Sequence, residues 1–132
     1  MDSTDEKIVH MLKENSRAPF VEIAKKLGVS EGTIRARVKK LTKNGELKFT
    51  IEDEKELKAV VLIATSTGAP TTKVANAIRD LGISGVYEVS GQFDIVCFVS
   101  SHEMIKINNA IEKIRHVNDV ADTNTLMVLK QG

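Results

Sequence analysis

Basic side chains are concentrated in the segment LGVSEGTIRARVKKL, which covers residues 27–41. Arg35, Arg37, Lys39 and Lys40 follow a Gly-Val-Ser break within it. An arginine guanidinium can donate hydrogen bonds to O6 and N7 of guanine, and lysine ammonium groups neutralise phosphates. These residue types at this spacing predict contact with double-stranded DNA.

The same segment has the pattern of one amphipathic helix that begins after Ser30. Ile34, Val38 and Leu41 point to one side of a helix at about 100° per residue, and small residues between long cations lie opposite. The side chains expected to contact DNA are Ser30, Gly32, Thr33, Arg35, Ala36, Arg37, Lys39, Lys40 and Lys43. Arg35 is expected to contact guanine, and the lysines to contact phosphates. From charge alone, a solvated basic face on an ordinary helical bundle is an equally good interpretation.

Two further helices are predicted to position this one. Ser3 and Glu6 have the spacing of a capping box, and Pro19 is suited to the first residue of a second helix. Gly28 is suited to a left-handed helix end, so Gly28-Val29-Ser30 predicts the short turn of a helix-turn-helix. Gly45 is expected to end the third helix.

The rest of the chain predicts the order β-α-β-β-α-β, the ferredoxin-like arrangement. Strands are expected at residues 59–66, 86–90, 93–99 and 120–129, with inward faces of Val74, Ala77, Ile78 and Leu81 on one helix and Met104, Ile107, Ile111 and Ile114 on the other. Gly91-Gln92 predicts a two-residue type II′ turn, and Ser100 with Glu103 predicts a helix cap. A brief alternation at residues 47–51 predicts one more short strand.

We therefore expect an α+β chain with three parts. These are a three-helix helix-turn-helix (winged-helix-like) domain at residues 1–46, a short strand and charged linker at 47–58, and a ferredoxin-like βαββαβ domain at 59–132. One strand carries apolar residues on both faces, with Ile95 and Cys97 on one and Val96 and Phe98 on the other. Because helices cover only one face of such a sheet, we expect a second copy of the chain on the other face.

Charge and composition limit the classes of function. Residues 1–50 carry eleven Lys and Arg against seven Asp and Glu, whereas residues 51–132 carry eight against eleven. This asymmetry predicts a polyanion partner for the N-terminal part. A single cysteine, with no long apolar segment and no apolar leader, predicts a cytoplasmic protein. No Gly-rich phosphate loop or metal-spaced Cys/His cluster is present in the sequence, so we expect no enzyme, cofactor or metal site.

Three segments together resemble one protein family. SRAPFVEIAKKLGVSEGTIRARVKKLTKNGEL resembles the helix-turn-helix of the Lrp/AsnC (feast/famine) regulators, GQFDIVCFV their Gly-x-aromatic-Asp segment, and VNDVADTNTLMVLK their last strand. The resemblance covers nearly the whole chain. It implies a transcription regulator that dimerises through its sheet, often forms octamers and binds a free amino acid between subunits.

The resemblance also implies an effector site, with two departures from the usual pattern. Its residues are Gly91, Gln92, Phe93 and Asp94, together with Thr123 and Thr125 from a neighbouring subunit. Asp94 is expected to bind the ammonium group, and the amides near Gly91 and Gln92 the carboxylate. Phe93 replaces a frequent tyrosine, and the linker is shorter and more acidic than is usual in the family.

Two alternative functions remain open at this level. The C-terminal domain could sense amino acids without any DNA role, although the basic helix argues against this. The sirohaem decarboxylases resemble the same two-part architecture, but they need cationic or imidazole groups around a polycarboxylate tetrapyrrole. The acidic C-terminal half offers only His102 and His116.

Overall fold

A computed structural model of the chain describes residues 1–130, which contain five helices and four strands. The elements are α1 (Ser3–Glu14), α2 (Phe20–Leu27), α3 (Glu31–Lys43), β1 (Leu57–Thr65), α4 (Thr71–Arg79), β2 (Gly85–Glu88), β3 (Ile95–Ser101), α5 (Met104–Arg115) and β4 (Val120–Met127). The chain divides into two compact units, Met1–Glu52 and Asp53–Gly132. The predicted α+β class, with a helix-turn-helix followed by a ferredoxin-like unit, is confirmed.

The N-terminal unit has its own small apolar core. Buried side chains from all three helices form it: Ile8, Leu12, Ile23, Ala24, Ile34 and Val38. Leu41 is also buried, so the predicted inward side of α3 is confirmed. Burial of these side chains is the main term that holds three helices of this length together, because isolated helices this short are marginal in water.

Two predicted helix starts in this unit are shifted by one residue. Asp2, not Ser3, caps α1: its side chain accepts from the N–H of Asp5 at 2.8 Å, and the N–H of Asp2 donates back at 3.3 Å. A carboxylate caps a helix as well as a hydroxyl does, so the same motif fits one position earlier. Pro19 has extended backbone and precedes α2 instead of beginning it.

The prediction of a short strand at residues 47–51 is wrong. The segment forms no ladder with any described residue, and Ile51 is 99% exposed. Leu47 is the exception to this exposure, because it packs against the helical core. An extended segment becomes a strand only when a neighbouring strand satisfies its backbone groups.

The C-terminal unit is a four-stranded antiparallel sheet in the order β2-β3-β1-β4. Helices α4 and α5 cover one face, and the core between them and the sheet includes Val61, Ile63, Cys97, Ile107 and Ile114. The predicted order β-α-β-β-α-β is confirmed.

Two local predictions in this unit are wrong. Glu88 pairs with Ile95, and the N–H of Val89 donates to the carbonyl of Asp94 at 2.9 Å, so the hairpin loop is longer than two residues. Gly91 has φ of 142°, which is not the value of a type II′ turn. Ser100 lies within β3, and Glu103 precedes α5 without a side-chain cap.

Three positions that were expected to be buried on the inward sides of α4 and α5 are not fully buried. Leu81 and Met104 are exposed, and Ala75 is fully buried where Ala77 was expected to be. Both exposed residues lie outside or at the end of the helix that was expected to bury them. The interior positions Val74 and Ile78 are buried as predicted.

The sheet face opposite the helices is apolar, as expected. Aligned rows run across it: Gly85, Phe98, Val60 and Leu126, then Tyr87, Val96, Leu62 and Asn124. The rings of Tyr87 and Phe98 meet edge to face at 6.0 Å, and these side chains are 56% and 48% exposed. This is the face on which the sequence predicts a second copy of the chain.

Candidate DNA-binding surface and effector site

The turn between α2 and α3 is set by two local features. Gly28 ends α2 in the left-handed region at φ of 69°, and its N–H donates to the carbonyl of Ala24. Ser30 then caps α3, its Oγ accepting from the N–H of Thr33 at 3.1 Å. Both features confirm the prediction and fix where α3 begins.

One side of α3 is exposed along its whole length. Seven of the nine side chains predicted to contact DNA are exposed, namely Ser30, Gly32, Arg35, Ala36, Lys39, Lys40 and Lys43, whereas Thr33 and Arg37 are half-buried. A Cβ built on Gly32 would meet only Ser30 Oγ, at 3.9 Å. The outward side therefore has a flat centre and a cationic margin, as the helical pattern predicts.

The three lysines on this side, at positions 39, 40 and 43, make no ion pair with any residue of 1–130. Each is exposed, so its charge is available to a polyanion. Each lysine that neutralises a phosphate releases condensed counterions, so binding weakens steeply as salt rises.

Arg37 differs from the lysines because it is engaged within the unit. Its Nη1 contacts the carboxylate of Asp2 and lies 3.2 Å from Asp5 Oδ1. The hydrogen bond from the Asp5 amide and the contact with Arg37 both lower the pKa of Asp2. Arg37 therefore links the start of α1 to α3. These contacts account for the position of its side chain without any contact to DNA.

Arg35 is exposed but restrained. Its Nη2 contacts the Glu31 carboxylate one turn earlier, and its guanidinium carbon lies 5.7 Å from the ring centre of Phe20 on α2. The guanidinium is thus held at the outer edge of α3 between an anion and an aromatic face.

Asp94, the expected effector carboxylate, has partners within the chain. Its Oδ2 accepts from the N–H of Thr65 at 2.9 Å and lies 3.2 Å from the Thr65 hydroxyl. The pairing of β1 with β4 shifts register between Ala64 and Thr65, at the residue whose N–H is bound. Asp94 therefore terminates β1, while the loop residues Gly91 and Gln92 are exposed.

The two predicted threonines lie on the other side of β1 from Asp94. The Asp94 N–H donates to the carbonyl of Ile63, and Ile63 pairs with Thr123 on β4. Asp94 and Thr123 are thus two strand spacings apart, about 10 Å. The predicted effector residues do not converge within one chain, and their assignment stays a prediction.

The two threonine hydroxyls have different environments. Thr123 Oγ1 accepts from Arg115 Nε at 3.3 Å. Thr125 Oγ1 is buried and has no hydrogen-bond partner in the described part of the chain. A buried hydroxyl without a partner is uncommon in folded proteins, because it loses its hydrogen bonds to water.

Several partners of the site residues lie far from them in the sequence, and one lies a single helical turn away. Glu31 was detectable, because a carboxylate four residues before Arg35 has the spacing of a helical ion pair. Asp2 lies 35 residues from Arg37, and Thr65 lies 29 residues from Asp94, so only the fold shows these pairs.

One further group of ionisable side chains converges in the C-terminal unit. His102 Nε2 lies 2.9 Å from Asp53 Oδ2 and 4.0 Å from Glu56 Oε1. Asp53 and His102 are exposed and Glu56 is partly buried, and the contacts of the imidazole with the two carboxylates account for the arrangement. Among residues 1–130, no helix is long and apolar enough to cross a bilayer.

Both units match known domain families. Residues 1–42 match the AsnC-type helix-turn-helix domain, and residues 58–131 match the Lrp/AsnC ligand binding domain. The chain belongs to the Lrp/AsnC family. It is 38% identical over 134 residues to the HTH-type transcriptional regulator LysM of Saccharolobus solfataricus, a match covering 98% of this chain and 94% of that protein.

Two solved structures show the same fold. The leucine response regulatory protein LrpA of Mycobacterium tuberculosis has a TM-score of 0.80 at 20% identity, covering 99% of this chain and 94% of that chain. A feast or famine regulatory protein of M. tuberculosis, complexed with L-methionine, has a TM-score of 0.77 at 21% identity, covering 98% and 92%. This Lrp/AsnC protein is a helix-turn-helix transcription regulator and not an enzyme, which excludes the decarboxylase alternative.

Proposed function

We propose that this regulator binds specific double-stranded DNA sequences by placing α3 in the major groove. The observation that carries the proposal is the outward side of α3, where Gly32 and Ala36 leave a flat centre and unpaired lysines form the margin. Small residues let the helix backbone approach base edges, and the cations contact the phosphates on either side.

Within this surface the residues have different roles. Arg35 contacts guanine. The phosphates are contacted by Lys39, Lys40 and Lys43. Ser30 and Thr33 lie at the start of the helix, where their hydroxyls can reach the DNA backbone. Arg37 supports α3 through its pairing with Asp2 and Asp5.

The regulator works as a homodimer assembled through the open face of the sheet. Phe98, Tyr87 and Leu126 are each about half exposed there, and a second copy would cover them. A dimer supplies two DNA-binding units, which suits a pseudo-palindromic operator. The dimers are expected to assemble further, for example into an octamer. The regulator is expected to act in the cytoplasm.

A free amino acid modulates the assembly or its DNA affinity. Support comes from the match to a ligand binding domain and from a relative of the same fold complexed with L-methionine. The unpartnered hydroxyl of Thr125 is a group that an effector or a neighbouring subunit would satisfy. A ligand without DNA contacts acts only by binding one state of the assembly more tightly than another.

Selection of duplexes from a random pool, with and without each amino acid, tests this function. We expect enrichment of a defined motif, loss of that preference in Arg35→Ala, and a shallower salt dependence in Lys39→Ala. Lys73→Ala, an exposed lysine on α4, is the control and should match wild type. Binding that neither weakens with salt nor prefers any sequence would contradict the proposal and favour an amino-acid-sensing module without a DNA role.

A further inference from the structure

Four cations on the outward side of α3 are exposed: Arg35, Lys39, Lys40 and Lys43. Among them, only the charged group of Arg35 contacts other described side chains. Its Nη2 contacts Glu31, and the Phe20 ring lies beneath it at 5.7 Å. The side chain remains 65% exposed, so it can still reach a ligand. This combination of restraint and exposure suits a side chain that must arrive in one orientation.

A guanidinium has five N–H donors in a fixed plane. Glu31 engages Nη2 alone, which leaves donors on the other edge for the two acceptors of a guanine. The Phe20 ring restricts where the guanidinium lies, because the cation is attracted to the ring face. The two contacts therefore restrain the guanidinium and leave Nε and Nη1 without a partner among the described residues.

Glu31 has a second effect that follows from its charge. It lies in the first turn of α3 and is exposed, so it faces the same ligand as Arg35. Its carboxylate repels phosphates and partly offsets the charge of Arg35, whereas the lysines have no such neighbour. Arg35 then contributes little to binding wherever no guanine is in position.

We propose that Glu31 and Phe20 are positioning residues that make Arg35 discriminate between DNA sequences. Phe20 orients the guanidinium, and Glu31 both orients it and weakens its attraction to phosphates. The inference rests on the proposed function, since it concerns how the α3 surface distinguishes a specific duplex from any other duplex.

The first test compares Glu31→Gln with wild type on the duplex enriched by selection and on a scrambled duplex of equal length. Removing one negative charge should tighten scrambled binding about fivefold in about 0.15 M salt. The ratio of specific to scrambled affinity should fall about tenfold, because a base contact loses its orientation. Glu112→Gln breaks a similar exposed pair, with Arg115 in the other unit, and should change neither value.

The second test separates orientation from packing at Phe20. Phe20→Tyr keeps the aromatic face, whereas Phe20→Leu keeps an apolar side chain against the core and removes the face. We expect Phe20→Leu to weaken specific binding about two- to fivefold, with scrambled binding unchanged and Phe20→Tyr close to wild type. In an Arg35→Ala background the Leu substitution should have no further effect on DNA binding.

The outcomes separate this inference from the function on which it rests. If Arg35→Ala loses discrimination but Glu31→Gln and Phe20→Leu keep it, the positioning role is wrong and the DNA-binding function stands. Equal loss for Phe20→Leu in wild-type and Arg35→Ala backgrounds would also overturn it, since the effect would be structural. If wild type enriches no duplex and shows no salt-dependent binding, the proposed function itself fails, and the inference with it.

Discussion

Substitution of Asp94 should destabilise the C-terminal unit, whether or not Asp94 also binds an effector. Its Oδ2 accepts from the Thr65 N–H at 2.9 Å, and the Thr65 hydroxyl lies farther away at 3.2 Å. Asp94→Ala leaves a half-buried backbone N–H without its charged acceptor, which costs about 1–3 kcal/mol of unfolding free energy. Asp94→Asn retains an oxygen acceptor, so it should cost about 1 kcal/mol or less.

Urea unfolding followed by circular dichroism measures these differences directly. In a unit of this size, a loss of about 2 kcal/mol lowers the melting temperature by about 8–15 °C. Amide exchange at Thr65 should also accelerate in Asp94→Ala and much less in Asp94→Asn. Asp80→Ala, at the exposed end of α4, serves as the matched carboxylate control.

Equal stability of wild type and Asp94→Ala, with unchanged exchange at Thr65, would refute this reasoning. The comparison also decides how effector binding experiments are interpreted. Calorimetry that shows loss of amino-acid binding in the stable Asn variant would support a direct role for the Asp94 charge. Loss in the Ala variant alone would reflect the altered end of β1.

Other substitutions test separate parts of the structure. Gly28→Ala should destabilise the N-terminal unit by about 1–2 kcal/mol in thermal unfolding, because Gly28 has φ of 69°. Gly32→Ala should instead stabilise α3 by up to about 1 kcal/mol yet weaken DNA binding, since its methyl group projects from the flat centre. Thr125→Val should raise stability by about 1 kcal/mol without effector, and a fall would show that the hydroxyl is satisfied. Burial raises the pKa of Cys97 to about 11, so the native thiol should resist iodoacetamide at pH 8 and react once unfolded. Its contribution to stability is present below the unfolded pKa and declines as pH rises towards 11.

Local sequence determined the features that depend on neighbours a few residues away. Gly28 and Ser30 fix the end of α2 and the start of α3, because a left-handed backbone and a hydroxyl cap act within one turn. The spacing of Ile34, Val38 and Leu41 then decides which side of α3 is outward. These short-range effects made the DNA-binding surface predictable.

Two other local patterns gave wrong predictions. One segment has no strand to pair with, and the other is held in a different conformation by tertiary hydrogen bonds. Residues 47–51 alternate like a strand, but no described strand pairs with them. Gly91-Gln92 fits a two-residue turn, yet Asp94 is bound to Thr65 and to the carbonyl of Ile63, so the loop lengthens before β3 begins. The attachment of Asp94 to β1 outweighs the preference of the dipeptide.

Only the tertiary structure decided what the charged side chains contact. Arg37 and Arg35 are two residues apart with identical chemistry, but α1 brings Asp2 and Asp5 to the first, and α2 places Phe20 beneath the second. Charge attraction falls quickly with distance in water, so a residue's role depends on which groups the packed helices place within a few ångströms.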